Sequence, residues 1–158
     1  MIDLRSDTVT KPSLEMYEAM NTADVGDDGY GDDPTVIELE ATVSAVLGFE
    51  AGLFVTSGTQ SNLTAVLTHC GRGDEYVIGE SYHVYRAEGV GTAALGGVIP
   101  QTVPVLSDGS VDLDQVEGKI KPDDMHFPRT RLICFENTHN GKPLSPDYMA
   151  AATAVAKR

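Results

Sequence analysis

The stretch Thr56-Ser57-Gly58-Thr59-Gln60-Ser61-Asn62 ("TSGTQSN", residues 56–62) decides how this chain is read. It follows the apolar run Gly52-Leu53-Phe54-Val55 and precedes Leu63, Val66, Leu67 and Cys70, spaced i, i+3, i+4, i+7 like one helix face. An apolar run, small polar residues around one glycine, and then a helix make a β–α junction, with Leu53 to Val55 as the expected strand and Leu63 to Cys70 as the expected helix. In a parallel sheet such junctions carry the ligand site, because the following helix presents unpaired N–H groups and a partial positive charge. Gly58 permits close approach of the backbone, and Ser57, Thr59, Gln60 and Ser61 offer hydroxyl and amide donors. The segment suits a phosphate, and it equally suits an ordinary helix N-cap; the junction alone leaves both readings open.

Outward from this junction, strands and helices alternate. Upstream, Thr10-Lys11-Pro12-Ser13 opens a helix carrying Met16 and Met20, and the acidic "DVGDDGYGDDP" (24–34) must be loop. Val36, Leu39, Val43, Val46 and Leu47 then predict an amphipathic helix, with Gly48 as its C-terminal cap. Downstream, Tyr76-Val77-Ile78, Val98 to Val105 and Arg131 to Phe135 read as strands. Helices are expected in the Ala-rich segment after His83, after Asp112 (Leu113, Val116, Ile120), and from Ser145-Pro146 to Lys157-Arg158; Asp108-Gly109 is a turn. This order predicts an α/β fold with a mostly parallel sheet covered by helices on both faces. It ends on a helix where the pattern would deliver another strand, so either the sheet is small or the fold is partial, truncated at its C-terminus. Residues 1–35 are expected to form an N-terminal arm, helix and acidic loop, and residues 36–158 the first part of the α/β domain.

Composition narrows the function. The 158 residues carry 11 Lys and Arg against 24 Asp and Glu, a net charge of −13, which argues against a nucleic-acid surface. No run approaches the roughly 20 apolar residues that span a bilayer, and Met1-Ile2-Asp3-Leu4-Arg5 lacks an apolar signal region, so a cytoplasmic location without a membrane partner is expected. The two cysteines, Cys70 and Cys134, are far apart, and Cys134 reads as a reduced core residue.

Rival motifs fail. No lysine follows Gly58 before Lys119, which excludes a P-loop; a Rossmann fingerprint needs three glycines; a nucleophile elbow would need glycine at Val55 and Thr59. A calcium loop begun at Asp27 would put Asp32 where glycine is required. No His-Glu-x-x-His pair exists, so no metal is expected. Of the four histidines, His69 ends a helix, His126 lies in "KPDDMHFPRT", and His83 and His139 follow strands at the same sheet edge as the glycine junction, where a site would converge.

With these residues assembled, the chain resembles the N-terminal half of the low-specificity L-threonine aldolases. These are pyridoxal-phosphate enzymes of the aspartate-aminotransferase-like fold (fold type I), within the aromatic amino-acid β-eliminating lyase group. The resemblance rests on "IDLRSDTVTKPS" (2–13), "VGDDGYGDDPTV" (25–36), "TSGTQSNL" (56–63), "GESYHVY" (79–85), "KPDDMHF" (121–127) and "ENTHNGKPL" (136–144), in the family's order. It makes residues 36–158 the first part of the cofactor-binding large domain. It implies a phosphate cradle of Ser57, Gly58, Thr59 and Gln60, a ring-stacking His83, and Asn137 at the cofactor's ring oxygen. It also implies Ser6 beside the substrate, Tyr30 reaching in from a neighbouring subunit of a homotetramer, and His126 near the substrate's β-hydroxyl. His139 keeps its motif but receives no role. The implied reaction cleaves L-threonine or L-allo-threonine to glycine and acetaldehyde, with the cofactor as electron sink. A base must take the β-hydroxyl proton, a task for histidine, and His83 or His126 is the candidate.

The family's Schiff-base lysine lies in a "SKG"-like motif and its pyridine-nitrogen aspartate in a "HVDGAR"-like motif. Neither motif occurs here, and Lys11, Lys119, Lys121, Lys142 and Lys157 all lie in other contexts. The chain alone is therefore expected to be inactive. A non-catalytic remnant or interaction module of the same fold, or a related lyase acting on another β-hydroxy or aromatic amino acid, stands as the alternative.

Overall fold

The computed structural model describes residues 2, 3 and 5–158, which fall into two compact units divided between Phe54 and Val55. The division drawn at residue 35 in the sequence lies within the first turn of a helix of the first unit.

The first unit holds α1 (Leu14–Thr22) and α2 (Pro34–Leu47). Ser13 starts α1 by accepting the Met16 N–H at 3.3 Å. Asp33 starts α2 by accepting the Val36 N–H at 2.9 Å, with Pro34 in the first turn, where its missing N–H costs nothing. Asp33 also accepts the Gly26 N–H at 2.9 Å, and these two donors hold its carboxyl below the usual carboxylate range. The acidic loop thus folds on its own carboxylates: Asp27 accepts the Gly29 N–H at 2.8 Å and starts a single 3-10 turn, Asp28–Tyr30. Gly48 ends α2 in the left-handed region (φ 73), a position that favours glycine. None of the described side chains of α1 is buried, and α2 buries only Ser44.

The second unit holds α3 (Gly58–His69), β1 (Glu75–Gly79), α4 (His83–Arg86), α5 (Gly91–Gly96), β2 (Ile99–Val103), α6 (Leu113–Lys119), β3 (Thr130–Cys134) and α7 (Pro146–Ala156). The three strands pair in parallel in the order β2-β1-β3, with Val77 opposite Gln101 on one side and Ile133 on the other. All five residues of β1 are buried. Successive strand residues face opposite sides, so full burial means that both faces of the central strand are covered. The cover includes Val66 of α3, Val116 of α6 and Val155 of α7, which join Tyr76, Val77 and Ile78 in one core. The expected α/β order with a parallel sheet is what the chain forms.

Three local expectations are corrected. Leu53 to Val55 is not a strand: no ladder partner pairs with it among the described residues, and Leu53 and Phe54 are exposed. The Phe54 N–H is satisfied instead by the Glu40 carboxylate at 2.6 Å. The helix after the junction begins at Gly58 rather than Leu63, so most of the glycine segment is helical. The Ala-rich segment after His83 forms two short helices rather than one, because Gly89 (φ 62) and Val90 (φ 54) turn left-handed between them.

Candidate active site

Ser57 is extended (φ −157, ψ 156) and its Oγ accepts the Gln60 N–H at 3.1 Å, which is why α3 starts where it does. The Gln60 side chain reaches back, its Oε1 accepting from the Thr56 N–H at 3.1 Å and the Thr56 hydroxyl at 2.7 Å. Ser57 and Gln60 therefore shape the helix start. The N–H groups of Gly58 and Thr59 have no acceptor among the described residues, and nothing lies within 4 Å of where a Gly58 side chain would stand. These are the orphan donors of a helix N-terminus, at the positive end of a 12-residue dipole. Asn62 is four residues on, about 6 Å along the axis and on the same helix face.

His83 follows the carboxyl end of β1 as the first residue of α4. Two carboxylates hold it, and a third side chain holds one of them. Its backbone N–H donates to Oε2 of Glu136, its ring Nδ1 lies 2.8 Å from Oε1 of Glu88, and that same Glu88 oxygen accepts Nδ2 of Asn62 at 2.7 Å. Glu88 thereby ties the phosphate-candidate helix to the imidazole. Glu136 is held in turn by His139, whose Nδ1 lies 2.7 Å from its Oε1. His139 is buried, packs its ring 5.2 Å from that of Tyr82, and has Nε2 within 3.3 Å of Ser81 Oγ and 3.0 Å of Asn140 Nδ2. The histidine without a role in the sequence thus acts as a brace for Glu136.

These groups border one cleft of about 210 Å3 at the carboxyl edge of β1 and β3. Ile78, Tyr82, Cys134 and Phe135 give its apolar lining; Asn62, His83, Glu136 and Asn137 give its polar lining. Burial pushes the Cys134 thiol and the Tyr82 hydroxyl each up to about 12, and the Tyr82 hydroxyl donates to the Gly109 carbonyl at 2.9 Å. Neither ionises near neutrality, so the His83 imidazole and the Glu136 carboxylate are the lining groups of types suited to proton transfer there. The cleft is smaller than the roughly 300–1,000 Å3 typical of small-molecule pockets.

Of the residues expected at the site, His83 and Asn137 line this cleft; the helix begun by Ser57, Gly58, Thr59 and Gln60 reaches it through Asn62, and those four residues are not among its lining. His126 is not among its lining residues. It lies in the exposed loop entering β3 at the sheet's amino edge, with Nδ1 2.7 Å from Asp124. Ser6 and Tyr30 belong to the first unit, where the Ser6 hydroxyl lies 2.9 Å from that of Thr8 and the Tyr30 side chain is exposed. No lysine lines the cleft among the described residues: Lys142 donates to the Ser107 carbonyl at 2.6 Å, and Lys121 sits 3.8 Å from Glu75 at the opposite sheet edge. Sequence reading missed Asn62, Glu88 and Glu136. Glu136 and His139 at i, i+3 gave a faint signal, whereas Glu88, five residues from His83, matches no motif spacing.

The comparisons with known proteins bear on the family. The family model for beta-eliminating lyases matches residues 3–158. The low specificity L-threonine aldolase of Escherichia coli (strain K12) is 54% identical over 152 residues, covering 96% of this chain and 46% of that protein. Low-specificity L-threonine aldolase 1 of Arabidopsis thaliana is 45% identical, covering 99% of this chain and 46% of its own length. The low specificity L-threonine aldolase of Saccharomyces cerevisiae is 42% identical, covering 88% and 37%. The chain spans about half the length, or less, of these curated relatives. With a family match running over nearly its whole length and a parallel α/β sheet to carry it, this chain belongs to the beta-eliminating lyases, a fold type I family.

Proposed function

We propose that this chain supplies the phosphate- and ring-binding wall of a pyridoxal-phosphate lyase of the threonine aldolase type, acting on L-threonine or L-allo-threonine. One observation carries the reading: an imidazole held by the Glu88 carboxylate lines a cleft that also takes Asn62 from the helix whose amino-terminal amides are unbonded, and Glu88 bonds both side chains. The residues present fit the cofactor in part. The Gly58 and Thr59 amides, with the Ser57 and Thr59 hydroxyls, are donors to a phosphate monoester, and open space around Gly58 lets it approach. His83 offers an aromatic face to the pyridine ring, and the Asn137 side-chain amide serves its ring oxygen.

When bound, the cofactor supplies the electron sink for cleavage of the Cα–Cβ bond. The chain's own contribution is to position and to move a proton. His83 lies at the cleft with Nδ1 occupied by Glu88, so Nε2 is the atom that takes the β-hydroxyl proton, directly or through a water. The apolar wall of Ile78, Cys134 and Phe135 limits water at the reacting bond. His126, Ser6 and Tyr30 are proposed as substrate contacts in a homotetrameric assembly, with Tyr30 reaching in from a neighbouring subunit.

With no lysine lining the cleft, the reading further holds that turnover requires groups this chain does not present. The test is to titrate the chain with pyridoxal phosphate while following the Gly58 and Thr59 amide resonances, and to assay glycine release from threonine. Both amides should shift more with pyridoxal phosphate than with inorganic phosphate, the His83→Ala variant should narrow that difference, and no glycine should form. Amides that stay put at millimolar cofactor would remove the cofactor reading, and sustained glycine release from the pure chain would remove the turnover clause.

A further inference from the structure

We propose that Glu88 is the positioning residue that selects the tautomer of His83, so that the imidazole presents Nε2 to the cleft as a bare acceptor. The role deepens the reading of His83 as the proton-accepting group and rests on it. An ionised carboxylate can only accept, so at 2.8 Å from Glu88 Oε1 the ring nitrogen Nδ1 must carry the proton. The neutral ring then holds its lone pair on Nε2, which has no partner among the described residues.

His139 provides an internal contrast. Its Nδ1 is likewise held by a carboxylate, at 2.7 Å from Glu136, but its Nε2 faces Ser81 and Asn140 and the residue is 7% exposed. Three histidines share this device, since His126 Nδ1 also lies 2.7 Å from Asp124. His126 is away from the cleft and His139 has its second nitrogen engaged, so His83 is the one that lines the cleft with Nε2 unpartnered among the described residues. The His83 side chain is 59% exposed while that of Glu88 is 5% exposed. A carboxylate that deeply buried is costly unless its oxygens are bonded, and the donors given to Glu88 are both cleft groups, Asn62 Nδ2 and His83 Nδ1. No lysine or arginine pairs with Glu88 among the described residues. Its burial is therefore accounted for by orienting these two side chains, one from the helix of the phosphate donors and one from the ring-facing turn.

Imidazole nitrogen NMR of the chain without cofactor, recorded above the range in which histidine titrates, tests the role. Wild-type His83 should show a protonated Nδ1 and an unprotonated Nε2. Glu88→Ala should move the proton to Nε2, the form preferred by free imidazole. Glu88→Gln, whose amide oxygen still accepts, should keep the wild-type pattern. A merely structural residue would not give rescue by glutamine together with reversal by alanine. Pyridoxal-phosphate affinity should fall on the order of tenfold in Glu88→Ala, as befits loss of a charge-assisted hydrogen bond that orders the cleft. A wild-type His83 protonated on Nε2, or an unchanged tautomer in Glu88→Ala, overturns the role. If the alanine variant does not fold, the wild-type spectrum alone still decides. Because the tautomer is read without cofactor, it can fail while the cofactor reading stands, and the reverse.

Discussion

Ser57 and Gly58 are neighbours with separable duties. The Ser57 hydroxyl caps α3, and its loss in Ser57→Ala should cost about 1 kcal/mol of stability, read as a lower urea midpoint at unchanged slope. Gly58 has open space around it and does not need the left-handed region, so Gly58→Ala should leave stability unchanged or raise it by up to about 1 kcal/mol. The added methyl would occupy the space through which a phosphate reaches the two free amides, and pyridoxal-phosphate binding should weaken in the same variant. A Gly58→Ala protein that is less stable and binds as before would reverse this division. The cap and the cradle, alternatives in the sequence, are compatible in the structure: Ser57 and Gln60 make the cap, and the Gly58 and Thr59 amides, which the proposed cradle uses, have no acceptor among the described residues.

Elements are held by their neighbours more than by their own composition. Tyr76-Val77-Ile78 and Leu53-Phe54-Val55 are both three-residue apolar runs, yet only the first is a strand. Ile78 is 1% exposed between two parallel partners, whereas Leu53 is 71% exposed with no partner among the described residues. Ile78→Ala should therefore cost about 2–5 kcal/mol through lost burial and a residual cavity. Leu53→Ala should stay within about 0.5 kcal/mol, as exposed positions do. Denaturant titrations of the two variants check the contrast, and equal losses would mean that Leu53 is packed like a core residue.

For the whole molecule, the core belongs to the second unit. β1 is buried at every position, while α1 buries none of its described residues. Amide exchange should follow that gradient, with the Tyr76 to Ile78 amides opening only in global unfolding and those of Met16 to Thr22 exchanging by local fraying. Protection of α1 equal to that of β1 would show that the first unit opens only together with the core. The apolar residues that stay exposed in the first unit, among them Val46, Phe49 and Leu53, make its weak protection the expected outcome.

The sequence by itself determined the α/β class, the parallel strands β1, β2 and β3, the caps at Ser13, Gly48, Asp112 and Ser145, and the meeting of His83 with the glycine junction. It did so because period, cap chemistry and strand–helix alternation are local properties written in neighbouring residues. Only the tertiary structure decided that Leu53 to Val55 is unpaired among the described residues, that His126 lies at the far sheet edge, and that Glu88 holds the His83 imidazole and Glu136 its backbone N–H. Whether a run pairs depends on strands distant in the chain. Which carboxylate meets which ring depends on where α3, α4 and β3 come together, and Glu88 reaches Asn62 across 26 residues of sequence.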